Sequence, residues 1–155
     1  MRLLVFGNSG SGKTTYARGL VRDHGLPHLD LDSIVWEPDR IAVQRAADAI
    51  LESLDEFLSA NTEWVIEGCY GELVKAAAPH CSELVFLNPG LDVCQAHNRA
   101  RPWEPAKYES LEQQNSYLAD LQKWVEEYYT RDGDWSYRAH RTIFDDHLGP
   151  KTELT

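Results

Sequence analysis

The sequence predicts a three-layer α/β fold, because short apolar runs alternate with segments of helical periodicity along its 155 residues. Short continuous apolar runs are typical of strands buried on both faces of a parallel sheet. A glycine-rich loop directly follows the first run, where a parallel sheet would place a strand-to-helix turn. The composition, 43% hydrophobic and 26% charged, is that of a globular protein. We expect one domain covering residues 1–155.

Five segments are predicted to be strands of a parallel sheet with right-handed crossovers. They are Leu3–Phe6, His28–Asp32, Trp64–Glu67, Glu83–Leu87 and Lys151–Leu154. The second alternates apolar and polar residues and ends in two carboxylates. The last is expected to be an edge strand that closes the sheet.

Helices are predicted between these strands from apolar spacing and from stop signals. The expected helices are one from the glycine-rich loop to Gly25, then Ile41–Leu58, Glu72–Ala78, a helix from the Asn88 turn to near Arg101, Ser110–Tyr128 and Ser136–His147. Ser110 and Gln113 have the spacing of a capping box. The segment PWEPAKY, residues 102–108, interrupts this rhythm, and we expect a helical lid over about 102–134.

Charge and cysteine content restrict the class of protein. Fifteen Lys and Arg against twenty-five Asp and Glu give a formal net charge of -10, which argues against loose, sequence-independent nucleic-acid binding. Three cysteines without close-pair spacing indicate reduced thiols rather than disulfides. The first apolar run is far shorter than the ~20 residues that span a bilayer. We therefore expect a cytoplasmic protein with no membrane partner.

The stretch GNSGSGKT, Gly7–Thr14, matches the phosphate-binding pattern G-x-x-x-x-G-K-[ST] at every fixed position. In such a loop, backbone N–H groups and the N-terminus of the next helix face phosphate oxygens. Lys13 would reach the β and γ phosphates, and the Thr14 hydroxyl would ligate Mg²⁺. The residues expected to bind the nucleotide are Gly7, Asn8, Ser9, Gly10, Ser11, Gly12, Lys13, Thr14 and Thr15. ATP, or another nucleoside triphosphate, with Mg²⁺ is the expected ligand.

Motifs expected of two other classes of nucleotide-binding protein do not occur at the predicted strand ends. A switch GTPase needs a guanine-reading N-K-x-D run, and the sequence contains none. An ATPase motor usually ends a strand with an Asp that orients Mg²⁺, whereas here the third strand ends in Glu67 and the fourth lacks a carboxylate. Ligands in open α/β sheets gather beyond the C-terminal strand ends, so Asp30, Asp32 and Glu67 would surround the γ-phosphate. A small phosphotransferase remains.

Three motifs together resemble small bacterial P-loop kinases. They are the phosphate loop, LDLDSIVW at residues 29–36 and WVIEGCY at residues 64–70. The chain is similar to the adenylate kinase and shikimate kinase group, and within it to adenylate kinase-like or DNA topology modulation-type proteins. The tail, from NPGLDVC through RARPWEPAKY to HRTIFDDHLGPKTEL, looks like uncharacterised bacterial P-loop ATPases or shikimate kinases. This resemblance implies a P-loop NTPase fold with strand order 2-3-1-4-5 and a helical lid.

The resemblance also implies roles for individual residues. Asp32 would orient the acceptor hydroxyl or take its proton, and Asp30 and Glu67 would help to hold Mg²⁺. A capped turn at Asp30 and Asp32, and an ordinary buried carboxylate at Glu67, are the alternatives. Arg99 and Arg101 would be lid arginines that stabilise the transferring phosphoryl group, or surface arginines at a helix C-terminus.

The predicted acceptor side departs from shikimate kinases. No arginine occurs between Arg45 and Arg99, which weakens a carboxylate or nucleoside monophosphate acceptor, whereas Trp36, Cys69 and Tyr70 suit a ring or an uncharged alcohol. We expect an ATP-dependent phosphotransferase acting on a small-molecule hydroxyl or phosphate, as a monomer or homodimer. The alternatives are a nucleotide-binding regulatory module or slow ATPase, and a nucleic-acid 5′-hydroxyl kinase, which the charge disfavours.

Overall fold

The sheet has five parallel strands in the predicted order. The computed structural model describes residues 1–40 and 42–155. Its strands are β1 (Arg2–Gly7), β2 (His28–Asp30), β3 (Trp64–Gly68), β4 (Glu83–Leu87) and β5 (Lys151–Leu154). Their order across the sheet is β2-β3-β1-β4-β5, which confirms the expectation, including the edge position of β5. The central strand β1 is buried from Leu3 to Gly7, so the phosphate loop begins at an enclosed point of the sheet.

Helices follow the strands in alternation. They are α1 (Lys13–His24), α2 (Asp32–Val35), α3 (Ala47–Ala60), α4 (Gly71–Ala77), α5 (Leu91–Ala100), α6 (Leu111–Ser116), α7 (Leu118–Glu127) and α8 (Tyr137–Asp146), with a 3₁₀ turn at Ala78–His80. Gly25 ends α1 in the left-handed conformation with φ 67° and donates its N–H to the Val21 carbonyl. The predicted end of this helix is therefore confirmed.

Two apolar layers cover the sheet because side chains of each strand alternate between its faces. On one face, Leu3 and Val5 pack with Ala17 of α1. On the other, Leu4 and Phe6 belong to a larger cluster, which includes Ile34, Ile50, Leu54, Tyr70, Leu73, Val74 and Phe86 and is flanked by Tyr137, Ile143 and Phe144 of α8. Helices α2, α3, α4 and α8 thus occupy the second face, and this is the side that brings Tyr70 toward the end of β2.

The predicted helix Ile41–Leu58 is corrected by the structure: α3 begins at Ala47, and Ile41 lies outside the described residues. The backbone before Ala47 forms a reversal instead. Glu37 donates its N–H to the Val43 carbonyl, and Arg45 donates its N–H to the Val35 carbonyl. These bonds pair the segment with the last residue of α2 and with the chain just beyond it, so these backbone groups are satisfied without a helix.

The predicted helix Ser110–Tyr128 is two helices, α6 and α7, separated at Tyr117. Ser110 accepts the Gln113 N–H as expected of the cap, while the Gln113 carboxamide accepts from Glu109 rather than from Ser110. The Ser116 hydroxyl donates to the Gln113 carbonyl, a local bond that competes with the helix and bends it. The Tyr117 ring then lies against the Tyr108 ring, with centroids 6.0 Å apart.

The apolar stripe of α7 packs inside the chain. Val125 and Tyr128 are fully buried, and the carboxamides of Gln95 in α5 and Gln122 in α7 each donate to the backbone carbonyl of the other residue. The second half of the predicted lid is therefore joined to the body of the protein. Within residues 1–40 and 42–155, none of the helices has the length and hydropathy needed to cross a membrane.

Candidate nucleotide and acceptor site

The phosphate loop encloses the side chain of Lys13. Lys13, at the start of α1, is 9% exposed, and its Nζ donates to the Asn8 carbonyl over 2.8 Å. The Ser11 hydroxyl is buried and has no hydrogen-bond partner among the described residues. A lysine with donors to spare and an orphaned hydroxyl inside a loop at a helix N-terminus fit a ligand rich in oxygen acceptors. The loop therefore fits the phosphates of a nucleotide.

Neighbouring helices hold the outer side of the loop. Nδ1 of His97 lies 2.7 Å from the Gly10 carbonyl, and Asn98 donates to the Ser9 carbonyl over 3.4 Å. Asn8 donates its side-chain amide to the Val125 carbonyl of α7 over 3.0 Å. The contacts with His97 and Asn98 turn the Gly10 and Ser9 carbonyls outward, which is the arrangement expected where N–H groups of a phosphate loop face inward.

Gly10 permits this close approach, and its replacement gives a test. A Cβ at Gly10 would lie 2.3 Å from the Cys94 carbonyl oxygen, and φ is 81°. We expect Gly10→Ala to lower the free energy of unfolding by about 1–3 kcal/mol and to weaken nucleotide binding. The matched variant Gly19→Ala, inside α1 with open space around it, should stabilise the protein by about 0.5–1 kcal/mol. Denaturant unfolding measures both, and equal effects of the two substitutions would contradict the packing argument.

Two carboxylates lie side by side at the ends of β2 and β3, and one of them contacts Thr14. Asp30 and Glu67 are partners in the parallel register of these strands. The Thr14 hydroxyl donates to Oε1 of Glu67 over 2.8 Å. Burial and then the Asp30 charge raise the pKa of Glu67 to about 7, although Lys13 and Thr14 oppose the shift. Burial followed by the Asp32 charge likewise raises the pKa of Asp30.

These oxygens form a donor set suited to Mg²⁺, which prefers oxygen ligands and usually keeps waters and substrate phosphates in its shell. Among the residues that the structure describes, no group of three or more His, Cys, Asp and Glu side chains has the geometry of a protein-only metal site. The arrangement of Thr14, Asp30 and Glu67 thus fits an ion shared with phosphate rather than one enclosed by the chain.

Asp32, the first residue of α2, has both carboxylate oxygens engaged. Oδ1 accepts from the Tyr70 hydroxyl, and Oδ2 lies 3.0 Å from Nζ of Lys107. Burial alone raises the pKa of Asp32, but the Lys107 ammonium and the Tyr70 hydroxyl outweigh it and hold that pKa below its ordinary value. The backbone N–H of Asp32 also donates to Asp30 over 2.9 Å. An ionised carboxylate therefore lies next to the candidate metal ligands.

Lys107 was not foreseen from the sequence. It follows two prolines in the segment PWEPAKY, and neither periodicity nor a motif marks it. The predicted lid arginines lie nearby: Arg101 donates to Oδ1 of Asn98 over 2.7 Å and lies 3.5 Å from Glu104. Arg99 is exposed in the last turn of α5.

An aromatic cluster lines the outer side of Asp32. Nε1 of Trp36 donates to the Tyr70 hydroxyl over 2.7 Å, which in turn donates to Asp32. The Trp135 ring meets Tyr70 edge-on, with centroids 5.5 Å apart. Trp36 and Tyr70 were expected here, whereas Trp135 was not.

Arg131, near the end of the predicted lid segment, also reaches this cluster. Its guanidinium lies 3.5 Å from the centroid of Trp124, and its Nε donates to the Trp135 carbonyl over 2.7 Å. Although no arginine occurs in the sequence between Arg45 and Arg99, Arg131 therefore supplies a cation beside the aromatic cluster. Cys69, which the sequence placed on the acceptor side, contributes its backbone carbonyl, and this carbonyl accepts a hydrogen bond from Nε2 of His140.

His140 is enclosed beneath the site and gives a pH-dependent prediction. Because the Cys69 carbonyl can only accept, Nε2 carries the proton and Nδ1 accepts from the Tyr128 hydroxyl. Burial lowers the pKa of His140 to about 4. The unfolded chain then binds a proton below about pH 6.5 that the folded protein does not bind, so stability falls as pH drops from about 6.5 toward 4.

We expect this effect of His140 to reach about 3 kcal/mol at pH 4. Glu67 has the opposite sign, since its raised pKa stabilises the fold at low pH, so the wild-type curve alone is not diagnostic. Urea unfolding of the parent and of His140→Gln between pH 4 and 7 isolates the histidine. A constant difference between the two proteins across that range would contradict the prediction.

Solved structures share this architecture, whereas no family model and no curated protein matches the chain. A sugar kinase from Janibacter sp. HTCC2649 superposes with a TM-score of 0.53 at 20% identity, covering 99% of this chain and 83% of the kinase. An uncharacterized protein from Eubacterium ventriosum ATCC 27560 gives a TM-score of 0.50 at 15% identity, over 99% and 88% of the two chains. The chain has the P-loop NTPase fold. A shikimate kinase from Acinetobacter baumannii in complex with shikimate gives a TM-score of 0.47 at 18% identity, over 92% of this chain and 90% of the kinase. These likenesses at 20% identity or less show the fold, and the narrower adenylate kinase-like or DNA topology modulation subgroup stays a prediction.

Proposed function

We propose that the protein transfers the γ-phosphoryl group of ATP to a hydroxyl group of a small molecule. One observation carries this proposal: an ionised Asp32 donates its backbone N–H to Asp30, and Asp30 is the strand partner of Glu67, which accepts from the Thr14 hydroxyl of the phosphate loop. A loop that only stored a nucleotide would need no carboxylate on the acceptor side. The arrangement instead supplies separate groups for the phosphate and for the incoming hydroxyl.

The nucleotide side consists of residues 7–15, with Lys13 directed at the β and γ phosphates. Thr14, Asp30 and Glu67 would hold Mg²⁺, which when bound neutralises charge on the phosphate oxygens. Lys13 supplies a fixed cation in a buried place, where its charge is screened little by water. Arg101, and Arg99 in the last turn of α5, are the further cations proposed for the transferring group.

Asp32 would act on the acceptor. Its carboxylate accepts a hydrogen bond from the acceptor hydroxyl and so orients that oxygen toward the γ-phosphorus. As the new P–O bond forms, the bond to the ADP oxygen breaks and its electron pair leaves with ADP, while the hydroxyl proton moves to Asp32. Tyr70 holds the carboxylate in place through its hydroxyl.

The acceptor class follows from the aromatic cluster. Rings of Trp36, Tyr70 and Trp135 next to a hydroxyl-binding carboxylate suit a hydroxylated ring, with apolar faces against the aromatics and polar edges toward Asp32. A sugar is the first class to test, and the Janibacter neighbour is named a sugar kinase. Arg131 at the edge of the cluster would accommodate an anionic substituent.

The testing experiment measures ADP release from Mg-ATP by the purified protein, alone and with separate pools of sugars, nucleosides, nucleotides and aromatic alcohols. A pool that stimulates ADP release, and no longer does so in Asp32→Asn, identifies the acceptor class. Tight ATP binding with a flat response to every pool would instead favour the nucleotide-binding regulatory module or slow ATPase. The engagement of both Asp32 oxygens within the chain is the observation that favours this second candidate.

We also propose that residues 1–155 act as one domain in which 102–134 forms the lid. Its first part, up to the break at Tyr117, contains irregular chain and the short helix α6, whereas α7 packs on α5. Motion is therefore expected chiefly between residues 101 and 117.

A further inference from the structure

A series of polar contacts along the bridging segment, residues 101–107, connects Asp32 to the phosphate loop. Lys107 contacts Asp32 at 3.0 Å and Glu104 at 3.4 Å. The other oxygen of Glu104 lies 3.5 Å from Arg101, whose guanidinium donates to Asn98. Asn98, 3% exposed, donates in turn to the Ser9 carbonyl. The segment thus touches the acceptor carboxylate at one end and the phosphate loop at the other.

Lys107 is placed so that its ammonium covers Oδ2 of Asp32. Tyr70 takes Oδ1, and Lys107 takes Oδ2, which leaves the carboxylate engaged by donors from two different elements. Burial lowers the pKa of Lys107, but the carboxylates of Asp32 and Glu104 together have the larger, opposite effect and raise that pKa above its ordinary value. The ammonium therefore stays charged. A water molecule near Asp32 must therefore compete with a cation for the oxygen that would take its proton.

We propose that Lys107 is a specificity-determining residue, which occupies Asp32 until an acceptor replaces it and thereby directs the phosphoryl group to the acceptor rather than to water. The inference rests on the proposed kinase function. In hydrolysis, water oxygen would form the new P–O bond, its proton would pass to Asp32, and ADP would leave with the electron pair. The same proton transfer is available to water and to an alcohol, so selectivity must come from access to Asp32.

The energies are consistent with such a replaceable contact. The side chains of Lys107 and Asp32 are 41% and 35% exposed, and ion pairs this exposed to solvent contribute little to stability. An acceptor that also packs on Trp36 and Tyr70 can offset that contribution, because aromatic contacts add apolar burial. Water brings no such contact, so the ion pair is lost to an acceptor more readily than to solvent.

Hydrogen exchange in the nucleotide-free protein tests the contact without measuring activity. Lys107 and Tyr108 donate their N–H groups to the Glu104 carbonyl, and these amides report whether the segment is held. Lys107→Ala and Asp32→Asn should each accelerate their exchange by about two- to fivefold. The double variant should show no further acceleration over Lys107→Ala, since that change already removes the contact with Asp32 together with the one to Glu104. Additive effects, or no effect of Asp32→Asn, would overturn the inference.

ADP release without acceptor tests the consequence. Lys107→Ala should raise acceptor-independent ATP hydrolysis by about three- to fivefold, while Lys107→Arg stays close to the parental rate. Lys123→Ala is the control, because Lys123 is exposed in α7 and pairs with Glu127 one turn along, at 3.8 Å. Unchanged or slower hydrolysis in Lys107→Ala, with acceptor-dependent transfer intact, would refute the role of Lys107 alone. Absence of acceptor-dependent transfer in both the parental protein and Asp32→Asn would refute the kinase function itself.

Discussion

Asp32→Asn should lower acceptor-dependent phosphoryl transfer by about 10²–10⁴-fold, the range expected for losing a general base, while nucleotide affinity stays near the parental value. The amide has nearly the shape of the carboxylate, yet it cannot take the acceptor proton and no longer attracts Lys107. The phosphate loop contacts neither oxygen of Asp32, so the nucleotide side is left in place.

Single-turnover transfer with the stimulating pool and calorimetric titration with ATP separate these two effects. Asp39→Asn is the matched control, since Asp39 is exposed in the nearby turn that follows Trp36. It should leave both measurements unchanged. Transfer at the parental rate in Asp32→Asn would show that another group serves the acceptor.

Lys13→Ala should reduce turnover by about 10³-fold or more, because a cation on the transferring phosphoryl group contributes 10³–10⁵ in related chemistry. The buried Lys13 is held by the Asn8 carbonyl inside the loop, so no exposed lysine can substitute for it. Its loss also removes a positive charge that lowers the pKa of Glu67. Affinity for ATP should therefore fall together with the rate.

ATP titration and ADP release measure this prediction, with Lys75→Ala on the exposed face of α4 as the control. Circular dichroism of Lys13→Ala establishes that the fold is retained. ATP affinity and turnover equal to the parent would remove the phosphate loop from the mechanism and with it the proposed function.

The sheet and the phosphate loop were predictable because their signals are local. Each strand is a short apolar run, and a buried parallel sheet requires little else of the sequence. The loop needs glycine at Gly7, where a Cβ would lie 2.2 Å from the Leu87 carbonyl oxygen, and at Gly12, where φ is 96°, and these are the two fixed glycines of the motif. Asp30, Asp32 and Glu67 were found together for a similar reason, since strand ends of a parallel sheet meet at one edge.

The outer half of the site was not predictable in this way. Lys107 is 75 residues from Asp32, and nothing in PWEPAKY specifies which carboxylate its lysine contacts. Trp135 and Arg131 reach Tyr70 and Trp124 only after the chain has turned back from α7. The predicted helix boundaries were wrong where hydrogen bonds to other segments replaced helical hydrogen bonds. Arg45 is an example, because its N–H donates to the Val35 carbonyl.

The cluster around Tyr70 gives the protein an intrinsic optical probe. Three of the five tryptophans, Trp36, Trp124 and Trp135, form a connected group, with ring centroids 6.4 Å and 5.6 Å apart along it. Indole emission responds to nearby charge and hydration, so a molecule entering beside Asp32 would alter the fluorescence without any label. Affinity can then be titrated for compounds that bind and do not react, which makes the acceptor side accessible to screening before any product is known.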